Sequence, residues 1–337
     1  MNKRLRITIG AGLAALAVIV AGGGYYNFHV RTDTPGYAIE VAGEALEEHD
    51  VKKFYRAVNL DSVLDSGYDG FIDGLTVAER TATPETKDAI RNFTQMFRVP
   101  MLASMKEAIN SYVATGKLKA DEFVGVREIL ERTGLNDIEL RDVKNVELND
   151  ANRNEAFADV IIFQPELERE FPVQVILSRD DDSWKITRIK NFQDYVEQIT
   201  QARRVQLDEY LTKASEINSR HDAAMREAEK KYGVVLSGGD LAKDETRAEL
   251  KIMLIETFKS DWETRRQEFL DLHVPREAQP LQDLYVKICD LAVDAAQSYA
   301  NWMDDRNSVT IKLAEERIRQ VQTLMNDAAT MARRMTS

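Results

Sequence analysis

The sequence predicts an α+β domain, with helices packed on a curved four-stranded antiparallel sheet, followed by an all-α antiparallel helical bundle, both behind one N-terminal transmembrane helix. Three observations predict it. The run Ile7–Tyr26 is twenty residues without a charge. Residues 138–190 alternate apolar and polar side chains in four short blocks, and beyond Phe192 only the three-and-four spacing of amphipathic helices remains. The expected boundaries are a basic cytoplasmic tip at 1–6, an anchor at 7–26, a tether at 27–33, the α+β domain at 34–192 and the bundle at 193–337.

The anchor rests on length and flanks. A helix needs about 20 predominantly apolar residues to cross a hydrocarbon layer roughly 30 Å thick, and basic residues favour its cytoplasmic side. Lys3, Arg4 and Arg6 precede the run, and Tyr25 and Tyr26 stand where interfacial aromatics stand. The expected location is the cytoplasmic membrane, single-pass, with the N-terminus inside and both domains outside. The competing reading is a signal peptide cleaved near Ala21 and Gly23, which yields a secreted protein. The run is longer than the roughly 7–15 residues of a signal-peptide core, which favours the anchor.

Composition bounds the rest. With 337 residues, 44% of them hydrophobic, the chain is long enough for two domains that each bury a core. A net charge of -12 argues against nucleic acid or anionic lipid as a bulk electrostatic partner. Cys289 is the only cysteine. It excludes an intramolecular disulfide and a Cys-rich metal site, and its helical spacing makes it a small buried hydrophobe.

Thr34-Pro35 starts the first helix, with Thr as cap and Pro in the first turn, running to about His49. Asp50 caps a second helix carrying Phe54, Tyr55 and Val58, and Asp61 a third. Asp65, Asp69 and Asp73 around Gly70 follow a calcium loop only in part, since Gly67 and Thr76 stand where ligands belong; a turn between helices is expected there. Apolar residues from Ile90 to Tyr112 predict an amphipathic helix ending at Gly116, kinked or divided at Val99-Pro100. A short helix runs from Asp121 to Arg132 and stops at Gly134.

Four strands follow, over 138–148, 155–164, 169–179 and 183–190. Asn149-Asp150-Ala151-Asn152, Pro165-Glu166 and Asp180-Asp181-Asp182 supply turn chemistry between them, so the strands pair as antiparallel hairpins. From Asp194 onward there are three Gly and two Pro, and four amphipathic segments joined by short loops. Short loops make neighbours antiparallel. A long dimerising coiled coil is the alternative, but Gly238, Gly239, Pro275 and Pro280 interrupt the heptads it needs.

The runs N-E-A-F-A-D-V-I-I-F and F-P-V-Q-V-I-L-S-R-D-D-D-S-W-K-I-T-R-I are similar to the closing hairpins of the cone-shaped, cystatin-like fold of nuclear transport factor two and its relatives. T-P-G-Y-A-I, A-L-E-E-H-D and F-Y-R-A-V resemble a group of uncharacterised bacterial membrane-anchored proteins. The resemblance covers residues 34–192. It implies helices seated in the concavity of the sheet, and a family that includes both enzymes and non-catalytic modules.

Candidate chemistry is sparse. His49 is the only histidine of the α+β domain, and with Tyr55, Tyr112 and Trp184 it forms the candidate lining of a pocket. The alternative for His49 is a helix end, where the dipole favours it. His221 has no carboxylate and neither it nor His273 has a second histidine at helical spacing, and Trp262 and Trp302 lie on apolar stripes. No catalytic residue, metal site or cofactor is therefore expected. Two functions follow: a non-catalytic, membrane-anchored interaction protein of the bacterial envelope, with a protein partner on the helical bundle and self-association as a further expectation; or a small-ligand-binding protein using the pocket of the α+β domain, with catalysis there a lesser expectation.

Overall fold

Thr34 Oγ1 accepts a hydrogen bond from the Tyr37 amide at 3.3 Å, and Pro35 fills the first turn of helix α1, Pro35–Glu47. The computed structural model describes residues 6–7, 34–78, 83–117, 124–135, 138–180 and 183–336. Asp50 caps α2, Val51–Ala57, through the Lys53 amide at 2.9 Å. Then come α3 (Leu60–Ala78), α4 (Pro84–Met96), α5 (Arg98–Thr115) and α6 (Val124–Arg132). The helix expected from Ile90 to Gly116 is two helices, divided at Phe97. Pro100 falls in the first turn of α5, where its missing N–H leaves no helical bond unmade.

The turn expected around Gly70 is continuous helix. Asp65 and Asp69 pair with Arg98, and Asp73 with Arg91, so the acids face outward as ion-pair partners. The glycines serve packing. A Cβ on Gly74 would lie 2.8 Å from Val196 Cβ and 3.0 Å from the Gln193 carbonyl, so only a bare backbone lets this pair of helices close.

The strands lie close to where alternation put them: β2 Ile138–Asn149, β3 Asn152–Gln164, β4 Arg169–Asp180 and β5 Ser183–Ile189, successive and antiparallel. Register shifts near Asp142 and Asn145, the latter at φ 52°, mark bulges that strengthen twist. The result is a curled four-stranded sheet. Ala156, Ala158, Val160 and Ile162 of β3 meet Phe171, Val173, Val175 and Leu177 of β4 in one core with Phe54, Leu64, Ile109 and Leu130 of the helices.

A two-residue strand β1, Arg6–Ile7, pairs with Glu139 and Ile138 at the edge of this sheet. That differs from the expected junction of cytoplasmic tip and anchor at these residues. The rest of the expected anchor, 8–26, and the tether, 27–33, lie outside the described residues. Among the described residues no helix is long and apolar enough to cross a membrane.

Helix α7, Phe192–Gly238, was expected to open the bundle, but its first turns complete the α+β core. Phe192, Tyr195, Val196 and Ile199 are buried there. Arg203 donates to the Glu131 and Arg132 carbonyls at 2.8 and 3.0 Å and pairs with Glu166 at 2.6 Å, closing the end of α6. The chain accordingly divides inside α7 into two units, Met1–Arg203 and Arg204–Ser337.

The second unit is helical throughout its described length. After α7 come α8 (Asp244–Ile252), a π-helical segment (Met253–Lys259), α9 (Ser260–Leu270), a short turn (Arg276–Ala278), α10 (Gln279–Asp305) and α11 (Ser308–Thr336). Cross-helix pairs give directions. Arg220–Glu268, Asp222–Arg265 and Tyr232–Phe258 link α7 to the α8–α9 run with numbers rising on one side and falling on the other. Lys251–Asp304, Lys259–Gln297 and Arg266–Asp290 do the same between that run and α10. These neighbours are antiparallel.

Candidate functional site

The four candidate pocket residues do different jobs. His49, at φ 57°, turns the chain between α1 and α2, and its Nδ1 lies 3.1 Å from the Val113 carbonyl in the last turn of α5. A carbonyl only accepts, so the imidazole donates and closes a helix end. Gly116 makes room for it: the backbone is left-handed at φ 67°, and a Cβ would sit 2.6 Å from His49 Cε1. Tyr55 donates from its hydroxyl to Asn110 Oδ1 at 2.8 Å, which also ties α2 to α5. Tyr112 is half-buried, and burial pushes its hydroxyl pKa up. Trp184 is buried in the core on β5, beside Arg179 across the hairpin.

A polar cluster that sequence reasoning missed lies in the seam between α7 and α9. His221 is buried, with Nε2 3.1 Å from Glu268 Oε2 and Nδ1 2.9 Å from Asp261 Oδ1, the latter off the hydrogen-bonding direction. Arg220 grips Glu268 with two bonds of 2.7 and 2.8 Å, and this holds the Glu268 carboxyl below its ordinary pKa. Arg265, 3% exposed, donates to Asp222 at 2.9 Å and to Asn218 and stacks over Trp262 at 4.6 Å. A cavity of about 170 Å³ beside it is lined by Arg265, Tyr285, Cys289 and Met325. Burial pushes the Cys289 thiol up to about 12, so at neutral pH it is an unreactive thiol.

The carboxylates that meet His221 come from another helix, which is why no spacing around His221 revealed them. The available signal was Asp261, Arg265 and Glu268 on one face of α9, legible only once α9 is set antiparallel to α7. Arg220 pairs with Glu268 and Arg265 with Asp222 across the seam, an arrangement that penalises a shift of helix register. Among the described residues no group of His, Cys, Asp and Glu is placed to hold a metal ion.

One end of the helical unit has a different character. Arg247 donates to the Leu241, Ala242 and Met303 carbonyls at 2.8, 3.0 and 3.0 Å, and Arg306 to Leu241 at 2.7 Å. Two arginines thus latch both connections at this end. Leu250, Leu254, Ala300 and Met303 form its core. Above that core a surface groove of about 600 Å³ is lined by Arg247, Lys251, Ile252, Ile255 and Met303, with Lys251 paired to Asp304 at 2.6 Å on its rim. Val234, Ile252 and Val309 at the same end are 71, 53 and 69% exposed.

No protein-family model matches the chain, and comparison with curated proteins and with solved structures finds no significant similarity.

Proposed function

We propose that this chain is a membrane-anchored, extracytoplasmic interaction protein of the bacterial cell envelope, non-catalytic, that takes a partner protein at the latched end of its helical unit. The observation that carries the proposal is the combination at that end of a fixed backbone and uncovered apolar side chains. Exposed apolar surface beside a groove marks interaction sites, and a surface already held in place loses little entropy on binding. The groove suits an amphipathic helix that buries apolar residues against Ile252 and Ile255. The α+β unit, which resembles the cone-shaped fold, is read as the carrier module, and the apolar run 7–26 supplies the anchor.

The anchor has an internal competitor. A membrane-spanning 7–26 with its N-terminus inside leaves Arg6 across the membrane from the sheet, whereas the β1–β2 pairing needs both on one side. Protease added to cells stripped of any outer wall separates the two: digestion of both units from outside, with 7–26 retained in the membrane pellet, supports the anchor. For the partner site, a photocrosslinker replaces Ile252 or Val309 in the full-length chain in cells. The expected result is one discrete adduct at each position, that from 309 lost in Ile252→Glu, and none from a probe at Asp150 in the β2–β3 turn. Equal labelling from all three positions would overturn the docking site.

A further inference from the structure

An amphipathic helix on a folded protein ordinarily turns its apolar stripe to the core. Helix α4 does the reverse. It is held to α3 by polar contacts: Arg91 to Asp73 at 2.8 Å, the Tyr68 hydroxyl to the Thr94 carbonyl at 2.8 Å, and Arg98 just beyond its end to Asp65 and Asp69. No residue of α4 is buried. Ile90, Phe93 and Phe97 follow one another at three- and four-residue spacing and share a face, with Met96 beside them. Their exposures are 38, 61, 47 and 76%, and Val99 at the α4–α5 corner is 77% exposed. The Phe93 and Phe97 rings pack on each other, centroids 5.0 Å apart, as a single ridge. By helical geometry this ridge is centred more than 90° around the axis from Arg91, and none of its residues belongs to the unit's buried core.

Two features select the occupant. The flanks of the ridge carry mixed charge from Glu85 and Lys87, while Arg91 and Arg98 are already ion-paired, so apolar insertion rather than charge attraction would drive association. Residues 27–33 can span at most about 25 Å when fully extended, which keeps α1 near any bilayer that 7–26 crosses. We propose that α4 is an interfacial helix, laying Ile90, Phe93, Met96, Phe97 and Val99 into the outer surface of the bilayer that anchors the chain. The reach argument rests on the anchor under Proposed function; the outward ridge stands without it.

The test uses the full-length protein in phosphatidylcholine vesicles, in a Cys289→Ala background. Single cysteines replace Phe93, Met96 or, as a control, Asp150, and each carries an environment-sensitive fluorophore. Lipids bearing a quencher on the upper acyl chain report contact, and a carbonate wash of the vesicles reports anchoring. The expected result is several-fold stronger quenching at 93 and 96 than at 150, unchanged by high salt, with the protein resisting the wash. Resistance to the wash with equal, weak quenching at all three positions overturns the interfacial helix and leaves the anchor standing. Loss in the wash with strong quenching at 93 and 96 beforehand supports the helix and overturns the anchor. Protection at 93 and 96 that disappears on dilution, without lipid quenching, assigns the ridge to a second copy and overturns the proposal.

Discussion

The two units solve the problem of buried polar groups in opposite ways. In the α+β unit the central core is apolar, and the charged anchors sit at its margins, as Arg203 does against the Glu131 and Arg132 carbonyls and Glu166. In the helical unit polar side chains enter the seam: Arg265 and His221 are 3 and 5% exposed, and Gln282 bridges the Tyr210 hydroxyl and the Phe269 carbonyl inside the core. The difference follows from the elements. A sheet fixes register through its backbone ladder and needs no side chain for it. Helices with stripes of Ala and Leu can slide past one another, and paired charges across the seam penalise every register but one.

If that contrast is right, the largest single effect comes from the seam. Arg265→Ala removes a buried guanidinium from Asp222, Asn218 and Trp262, and is expected to cost about 3 kcal/mol, between the values for exposed and fully buried pairs, since Asp222 can regain water. Hydrogen exchange followed segment by segment should show the loss in α7, α9 and α10 and leave β3 and β4 protected. Arg265→Met sharpens the point: if the pair acts on register rather than stability, Met recovers most of the loss. A Met variant as unstable as the Ala variant would mean that the charges themselves hold the unit together.

The next effect belongs to the α+β unit. Gly74→Ala drives a methyl into Val196 and the Gln193 carbonyl, overpacking that costs about 1–3 kcal/mol, partly offset by the roughly 1 kcal/mol helical advantage of Ala. Exchange should accelerate in α3 and the first turns of α7. No change there would show that these helices tolerate separation and that the close approach is incidental.

The smallest effect is pH-dependent. Arg220 holds Glu268 below the ordinary glutamate value of 4.5, so its contribution is complete above that value and is lost as pH falls through the lower, folded one. Acidification below about pH 4.5 should therefore loosen the α7–α9 seam. Glu268→Gln is expected to flatten this component when urea midpoints are compared across pH. The same slope in both proteins would remove Glu268 from the account.

Much of the fold was legible because the signals are local. Alternation at Ala156–Ile162 and Val173–Leu177, with turn residues between, located all four long strands; Thr34-Pro35 and Asp50 located two helix starts. Asp65–Asp73 misled because glycine in a helix, needed for close approach, looks like glycine in a turn. His49 was legible at a helix end and Tyr55 on a helix, but their partners, the Val113 carbonyl and Asn110, lie more than fifty positions away.

The sequence by itself determined where the four long strands and most of the helices lie and which face of each is apolar, because periodicity and capping are properties of a few consecutive residues. Tertiary structure alone decided what stands opposite each face. It gave the first turns of α7 to the α+β core, set Asp261 and Glu268 against His221, and left the ridge of α4 exposed. The physical reason is that burial and ion pairing are properties of two surfaces meeting, and a stripe read from one helix carries no record of the other.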